Sequence, residues 1–355
     1  MFSYLLYLTR SSENLTIDGM DVQCIILEDE IHIGNDEVHK PAIVSDLYFE
    51  FTIPETINYK EKECPITAIE AYSFYKTNIT KIVIPKTIKF INSTCFENCK
   101  HLQTIIVDKE NPNFTVIDDA LYSKNKTILY KFPYEGDSFD ILSETRIYSD
   151  SCFTWCTFTG FTVPKKILSL GTSLFSYNED LKRIDLRNTN LKYIPNRMFI
   201  GCKRLEIVDL PKDITAIGSQ TFQGTAIKSF KFPKTLNFIG KGAFKNSRIE
   251  EVELLETQVI NITDKSFAMC NSLKLFRFPD KLENVETNSF NGTKNIEFIV
   301  YRGSNYMNQS VFECFPYAYI TYKYPGKWFL GLITDNLKEE ITYEKRKVSY
   351  GGRRF

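Results

Sequence analysis

Apolar and polar positions along this chain form one phrase that recurs. An apolar residue, aliphatic except for Tyr148 before Phe153 and Met307 before Phe312, stands five positions before an aromatic at Phe74, Phe96, Phe153, Phe175, Phe199, Phe222, Phe244, Phe267, Phe290 and Phe312. Outside the long interval from Phe96 to Phe153 the aromatic returns every 22 to 24 residues. Such a period marks stacked repeats, in which one unit cannot bury its own apolar face and its neighbours do so. Each unit opens on an apolar pair three apart, such as Ile88/Ile91, Ile214/Ile217, Leu236/Ile239 or Leu282/Val285. The aromatic segment follows and is predicted as one or two helical turns. An alternating strand closes the unit, often at a proline: Ile82-Val-Ile84-Pro85, Val208-Asp-Leu210-Pro211, Phe230-Lys-Phe232-Pro233 and Phe276-Arg-Phe278-Pro279. Proline suits that end because it stops the ladder there. Alternation sends one strand face inward and the other outward. Stacking then pairs equivalent strands into a parallel sheet and stacks the phenylalanines into an internal column.

This pattern predicts three segments. Residues 1–47 lie outside the period and are expected to cap the open end, with a strand at Val22 to Leu27. Residues 48–325 form the solenoid. Its first ladder strand is Tyr48 to Ile53, and residues 55–65 are expected as a charged surface turn. Irregular hairpin-type units occupy about 111–164, where Ile117 and Tyr122 hold the aliphatic and aromatic places and residues 134–138 read as a loop. Residues 326–355 form a C-terminal cap and a basic tail, with Lys345-Arg-Lys347 and Arg353-Arg354.

The unit Ile214-Thr-Ala-Ile-Gly-Ser-Gln-Thr-Phe222 resembles the BspA-like type of leucine-rich repeat. So does Leu236-Asn-Phe-Ile-Gly-Lys-Gly-Ala-Phe244. Asn111-Pro-Asn-Phe114, followed by Ile117-Asp-Asp-Ala-Leu-Tyr122, is similar to an irregular unit of that family. The resemblance covers residues 48–325. It implies a leucine-rich-repeat superhelix with one parallel β-sheet on the concave face and short helical or irregular segments on the convex side. Members of the family are typically surface or secreted proteins of mucosal bacteria and unicellular eukaryotes, associated with adhesion and host-protein binding. The implied function is non-enzymatic protein binding in adhesion. An intracellular scaffold or regulatory interaction module is the alternative.

Composition narrows the partners. The chain is 43% hydrophobic and 25% charged, with 44 basic and 44 acidic residues. That balance gives no electrostatic case for nucleic acid or an anionic membrane. No apolar run reaches the roughly 18 residues a membrane span needs. Met1 to Arg10 lacks the basic start and small-residue cleavage site of a signal peptide. A surface or secreted location therefore rests on the resemblance, and a cytoplasmic one stays open. The expected partners are proteins, and the expected state is a monomer.

Cys99, Cys156, Cys202 and Cys270 each stand three residues after a repeat phenylalanine. Thr77, Asn178, Thr225, Ser247 and Thr293 fill the same slot, so these cysteines read as buried structural residues. His32, His39 and His101 have no zinc-ligand spacing, and the chain holds neither a phosphate loop nor a nucleophile elbow. No catalytic residue, cofactor or metal is expected.

The candidate binding surface is the outward face of the strands. Strand centres place Thr52, Val83, Ile106, Lys131, Thr162, Asp185, Asp209, Lys231, Glu253, Arg277 and Val300 outward, and residues two earlier add Lys81, Arg183, Ile207, Glu251, Leu275 and Phe298. The protein-binding candidates are Arg183, Asp185, Ile207, Asp209, Lys231, Glu253, Leu275, Arg277, Phe298 and Val300. Lys231, Glu253 and Arg277 alternate in sign, which also suits a solvated stabilising ladder. Leu275, Phe298 and Val300 are expected as an exposed apolar cluster, either an interaction site or a patch under the C-terminal cap.

Overall fold

The computed structural model describes residues 11–37, 39–45, 47–132, 140–307, 309–314, 316–320, 325, 328–330, 332–333 and 335–336. Met1 to Arg10, the loop expected at 134–138 and the basic tail lie outside these. The chain divides into two compact units, Met1–Ala226 and Ile227–Phe355.

In the first unit short strands stack in parallel along two separate ladders, where the sequence pattern predicted one. The proline-closed strands make the first: Phe49–Thr52, Ile79–Ile84 and Thr104–Val107 pair in parallel, and so do Gly160–Thr162, Arg183–Asp185 and Ile207–Asp209. The apolar pairs make the second, with Lys62–Ile69 beside Phe90–Ile91 and Tyr193–Ile194 beside Ala216–Ile217. The three-residue spacing of each pair had hidden a two-residue strand ending on its second aliphatic. Ile31–Ile33 extends this second ladder in parallel, and Met20–Ile26 and Ser11–Ile17 follow antiparallel. Residues 111–131 form an antiparallel meander of Phe114–Ile117, Ala120–Ser123 and Ile128–Lys131, whose last strand rejoins the parallel stack at Ile147–Tyr148. Tyr122 lies in that meander and not in an aromatic turn.

The helical turns expected at the aromatic segments are absent: no described residue is helical. Backbone amides explain it. In the Phe199 turn, Arg197, Phe199 and Gly201 donate to the carbonyls of Ser219, Thr221 and Gln223 at 2.8, 2.9 and 2.9 Å. Alternate amides thus leave the turn for the next coil, where a helix would return each to its own chain four residues back. Residues two before and two after the aromatic take left-handed φ, such as Ser173 (54°) and Tyr177 (59°), which a helix interior excludes. Gly201 fills one such place because Tyr177 lies where its side chain would be, 2.5 Å from an added Cβ.

Phenylalanines fill the core between the ladders and the turns. Phe153, Phe175, Phe199 and Phe222 are fully buried, and successive rings stack nearly parallel at 5.3, 5.8 and 5.6 Å. The slot three residues later works as a hydrogen-bond position. Cys99 Sγ donates to the Phe74 carbonyl at 2.8 Å and Cys202 Sγ to that of Phe175 at 3.0 Å.

Residues 55–65 form a hairpin, Thr56–Tyr59 against Lys62–Ile69, and not a plain surface turn. Lys60 and Glu61 sit at its tip with φ of 51° and 68°. Positive φ at both central residues defines a type I′ turn, which asparagine and glycine favour. The double change Lys60→Asn, Glu61→Gly is expected to raise stability by about 1 kcal/mol, since the exposed Lys60–Glu13 pair it removes is worth little. A urea midpoint that falls would show that the turn carries no such strain.

The second unit repeats the scheme. Glu251–Glu253, Leu275–Arg277, Phe298–Tyr301 and Tyr317–Ile320 pair in parallel, as do Asn261–Ile262 and Asn284–Val285. Phe244, Phe267 and Phe290 stack at 5.5 and 6.0 Å. Trp328–Phe329 and Leu332–Ile333 make a small hairpin whose Phe329 is buried on Tyr301 at 4.8 Å.

Candidate functional site

The strand face of the first unit holds four of the candidates as one constellation. Parallel pairing sets Arg183 beside Ile207 and Asp185 beside Asp209. Two carboxylates in register repel, and two arginines offset this. Arg183 Nη2 reaches Asp209 Oδ2 at 2.6 Å, an ionic contact without hydrogen-bond alignment. Arg187 grips Asp185 through both side-chain nitrogens, Nε at 3.0 Å and Nη2 at 2.6 Å. The Arg187 guanidinium holds the Asp185 carboxyl below its usual range. Arg187 escaped the sequence reading because it follows the strand and so has no place in the alternation.

Ile207 stands among these charges with 46% of its surface exposed. Its strand ends this ladder, and the same fact corrects the expectation that Val208 and Leu210 are buried. Both are half-buried, while Ile184 and Leu186 one coil earlier are fully buried. Lys131, expected outward, is only 3% exposed, and its Nζ donates to Thr154 Oγ1 at 3.0 Å. It ends the meander strand, whose register differs from that of a regular unit.

In the second unit the candidates do not form the expected apolar cluster. Leu275 is 1% exposed. It lies in register between Glu251 and Phe298, two longer side chains on the same face, which shield it. Phe298 and Val300 are half-buried. The C-terminal hairpin places Phe329 on Tyr301, the residue after Val300. Glu253 and Arg277 pair at 3.1 Å across neighbouring strands, as a stabilising ladder would have them. Lys231 is exposed, but the segment 225–233 carries no strand, so it presents no ladder position.

The turn side of the first unit holds a feature with no counterpart among the candidates. A pocket of about 390 Å³ is lined by Lys76, Asn78, Asn98, Lys100, Trp155 and Tyr177. Lys76, Asn98, Trp155 and Tyr177 all stand two residues after a repeat phenylalanine. That shared offset was the available signal.

The family described as the BspA type leucine rich repeat region matches this chain in six copies, over residues 67–135, 145–259 and 238–324. Among solved structures, a leucine-rich repeat protein of Bacteroides ovatus gives a TM-score of 0.51 at 17% identity, over 89% of this chain and 76% of that one. Another, from Eubacterium ventriosum, gives 0.46 at 21% identity over 70% of this chain and 65% of that one. The chain thus spans just under two thirds of the E. ventriosum protein. A leucine rich cell surface protein of Faecalibacterium prausnitzii gives 0.36 at 19% identity, over 82% and 89%. The B. ovatus likeness shows a shared fold. No curated protein sequence matches the chain.

Proposed function

The chain belongs to the BspA-type leucine-rich repeat family, and from that premise we propose that it is a non-enzymatic protein-binding protein that acts in cell-surface adhesion. The observation that carries this reading is Ile207, an exposed aliphatic set among charges already fixed in place. An apolar anchor ringed by preorganised polar groups suits protein recognition, because little side-chain freedom remains to be lost on binding. The repeat stack supplies such an extended surface.

The test is capture of host-surface proteins by the immobilised chain. Ile207→Asp is expected to abolish capture while the folded circular dichroism spectrum persists, and Glu253→Ala is expected to leave it intact. Undiminished capture by Ile207→Asp would reject this surface.

An intracellular scaffold is the second reading, favoured by the thiols. All nine cysteines are unpaired and eight are buried, as suits a reducing compartment. Labelling of intact cells with an impermeant biotin reagent separates the two. Labelled chain supports adhesion, and protection until lysis supports the scaffold.

A further inference from the structure

We propose that the pocket on the turn side of the first unit binds a carboxylated sugar residue. The site is independent of the strand face, so either proposal can fail alone. Its origin is a break in the ladder of turns. Phe74 and Lys76 donate to Cys95 and Glu97 of the next turn, and Phe153 and Trp155 donate to Leu174 and Ser176 of theirs. Among the described residues no backbone hydrogen bond joins the Phe96 turn to the Phe153 turn. The meander of residues 114–131 intervenes in sequence without adding an aromatic turn. Side chains tie the two sides instead, Ser93 Oγ donating to Asp150 Oδ2 at 2.6 Å. The pocket draws its walls from both sides of this break.

The break leaves one aromatic face available. Trp155 stacks on Tyr177 at 4.8 Å, with planes 12° apart, and Tyr177 in turn lies over Gly201. The stack runs away from the break. No ring covers the other indole face among the described residues, and Trp155 Nε1 finds no acceptor in the protein. Asn78, Asn98 and the exposed Lys76 and Lys100 line the same pocket, and Lys76 Nζ lies 5.0 Å from the centre of the Tyr75 ring. Neither lysine has a carboxylate within ion-pair distance among the described residues, and no carboxylate lines the pocket. Glu97, the neighbouring acid, is buried with its carboxylate 3.5 Å from Arg197.

Each part matches one feature of a single ligand class. The C–H face of a pyranose packs on an indole, amides both donate to and accept from hydroxyls, and two ammonium groups select a carboxylate. The volume lies at the lower end of small-ligand sites and suits one or two sugar rings.

Saturation-transfer NMR on the full chain tests this with glucuronic acid, N-acetylneuraminic acid, glucose and inorganic phosphate as probes. The acidic sugars are expected to bind saturably, and glucose about tenfold more weakly or not at all. Lys76→Met with Lys100→Met is expected to weaken the acidic sugars about tenfold, and Trp155→Ala to remove the ring-proton transfer. Both lysines are exposed, so the double variant keeps its thermal midpoint and decides the matter even where Trp155→Ala does not fold. Three results would each overturn the proposal: no transfer from either acidic sugar, undiminished binding in the lysine variant, or phosphate displacing the sugars at equal concentration.

Discussion

Phe199→Ala is expected to destabilise the first unit by about 3–5 kcal/mol, among the largest effects of any single side-chain truncation in this chain. Phe199 is fully buried, with Phe175 stacked on one face at 5.8 Å and Phe222 on the other at 5.6 Å. Truncation removes the middle of a three-ring stack. Whether the cost is high depends on whether the walls can close, and here they are held apart. The Arg197, Phe199 and Gly201 amides keep their turn at fixed hydrogen-bonding distance from the next, so a void would stay open between the flanking rings. Phe199→Leu fills most of that void and is expected to cost about 1–2 kcal/mol. Phe238→Ala, at a side chain 47% exposed, is expected to cost under about 1 kcal/mol. The check is urea unfolding followed by circular dichroism and by fluorescence, because repeat proteins unfold in parts when one interface weakens. A Phe199→Ala loss below about 1 kcal/mol would mean that the turns slide together and that the amide ladder does not set the spacing.

The inward side of this fold was legible because burial repeats. Phe175, Phe199 and Phe222 meet the same environment coil after coil, so the same residue type recurs and the period shows. The turns were misread for a definite reason. Their left-handed positions hold Tyr72, Ser173, Arg197, Gln220 and Lys265 as readily as glycine, so no residue type announces them. Their amides bond to another coil, and local propensity contains nothing of a partner some 22 residues away. On the outward side, alternation named the face of each strand but not which of its residues stay exposed, and Lys131 and Leu275 are buried. Leu275 and Ile207 occupy the same strand position, yet one is shielded by Glu251 and Phe298 and the other ends its ladder. The pocket was harder still. It exists because a regular turn is missing between Phe96 and Phe153, and a missing unit leaves no motif to read.

Between pH 9 and about 11 the folded chain is expected to lose stability steeply, and the buried thiols are the cause. Burial pushes Cys24, Cys99, Cys156 and Cys202 up to about 12 and Cys270 to about 11, from an ordinary 9.0. The sign follows from which state keeps its proton. Above pH 9 the unfolded chain releases these protons while the folded chain retains them, so the folded state binds more protons and each pH step favours unfolding. Stability is present in full below pH 9 and is lost as pH climbs toward the folded values. Each such thiol adds about 1 kcal/mol per pH unit to the slope. Cys202→Thr isolates one of them. Thr293 Oγ1 already donates to the Phe267 carbonyl at 2.7 Å, the same bond that Cys202 Sγ makes to Phe175 at 3.0 Å. Threonine should therefore keep stability near pH 7 within about 1 kcal/mol and remove one thiol's share of the alkaline slope. Cys202→Ala should cost about 1–2 kcal/mol already at pH 7, because the Phe175 carbonyl loses a donor. Native thiol labelling supplies an independent reading. Cys314 alone is half-exposed, so one fast-reacting thiol of nine is expected before denaturant is added. Unchanged alkaline slope in Cys202→Thr, or several fast thiols in the native chain, would show that these cysteines are not sealed between the coils.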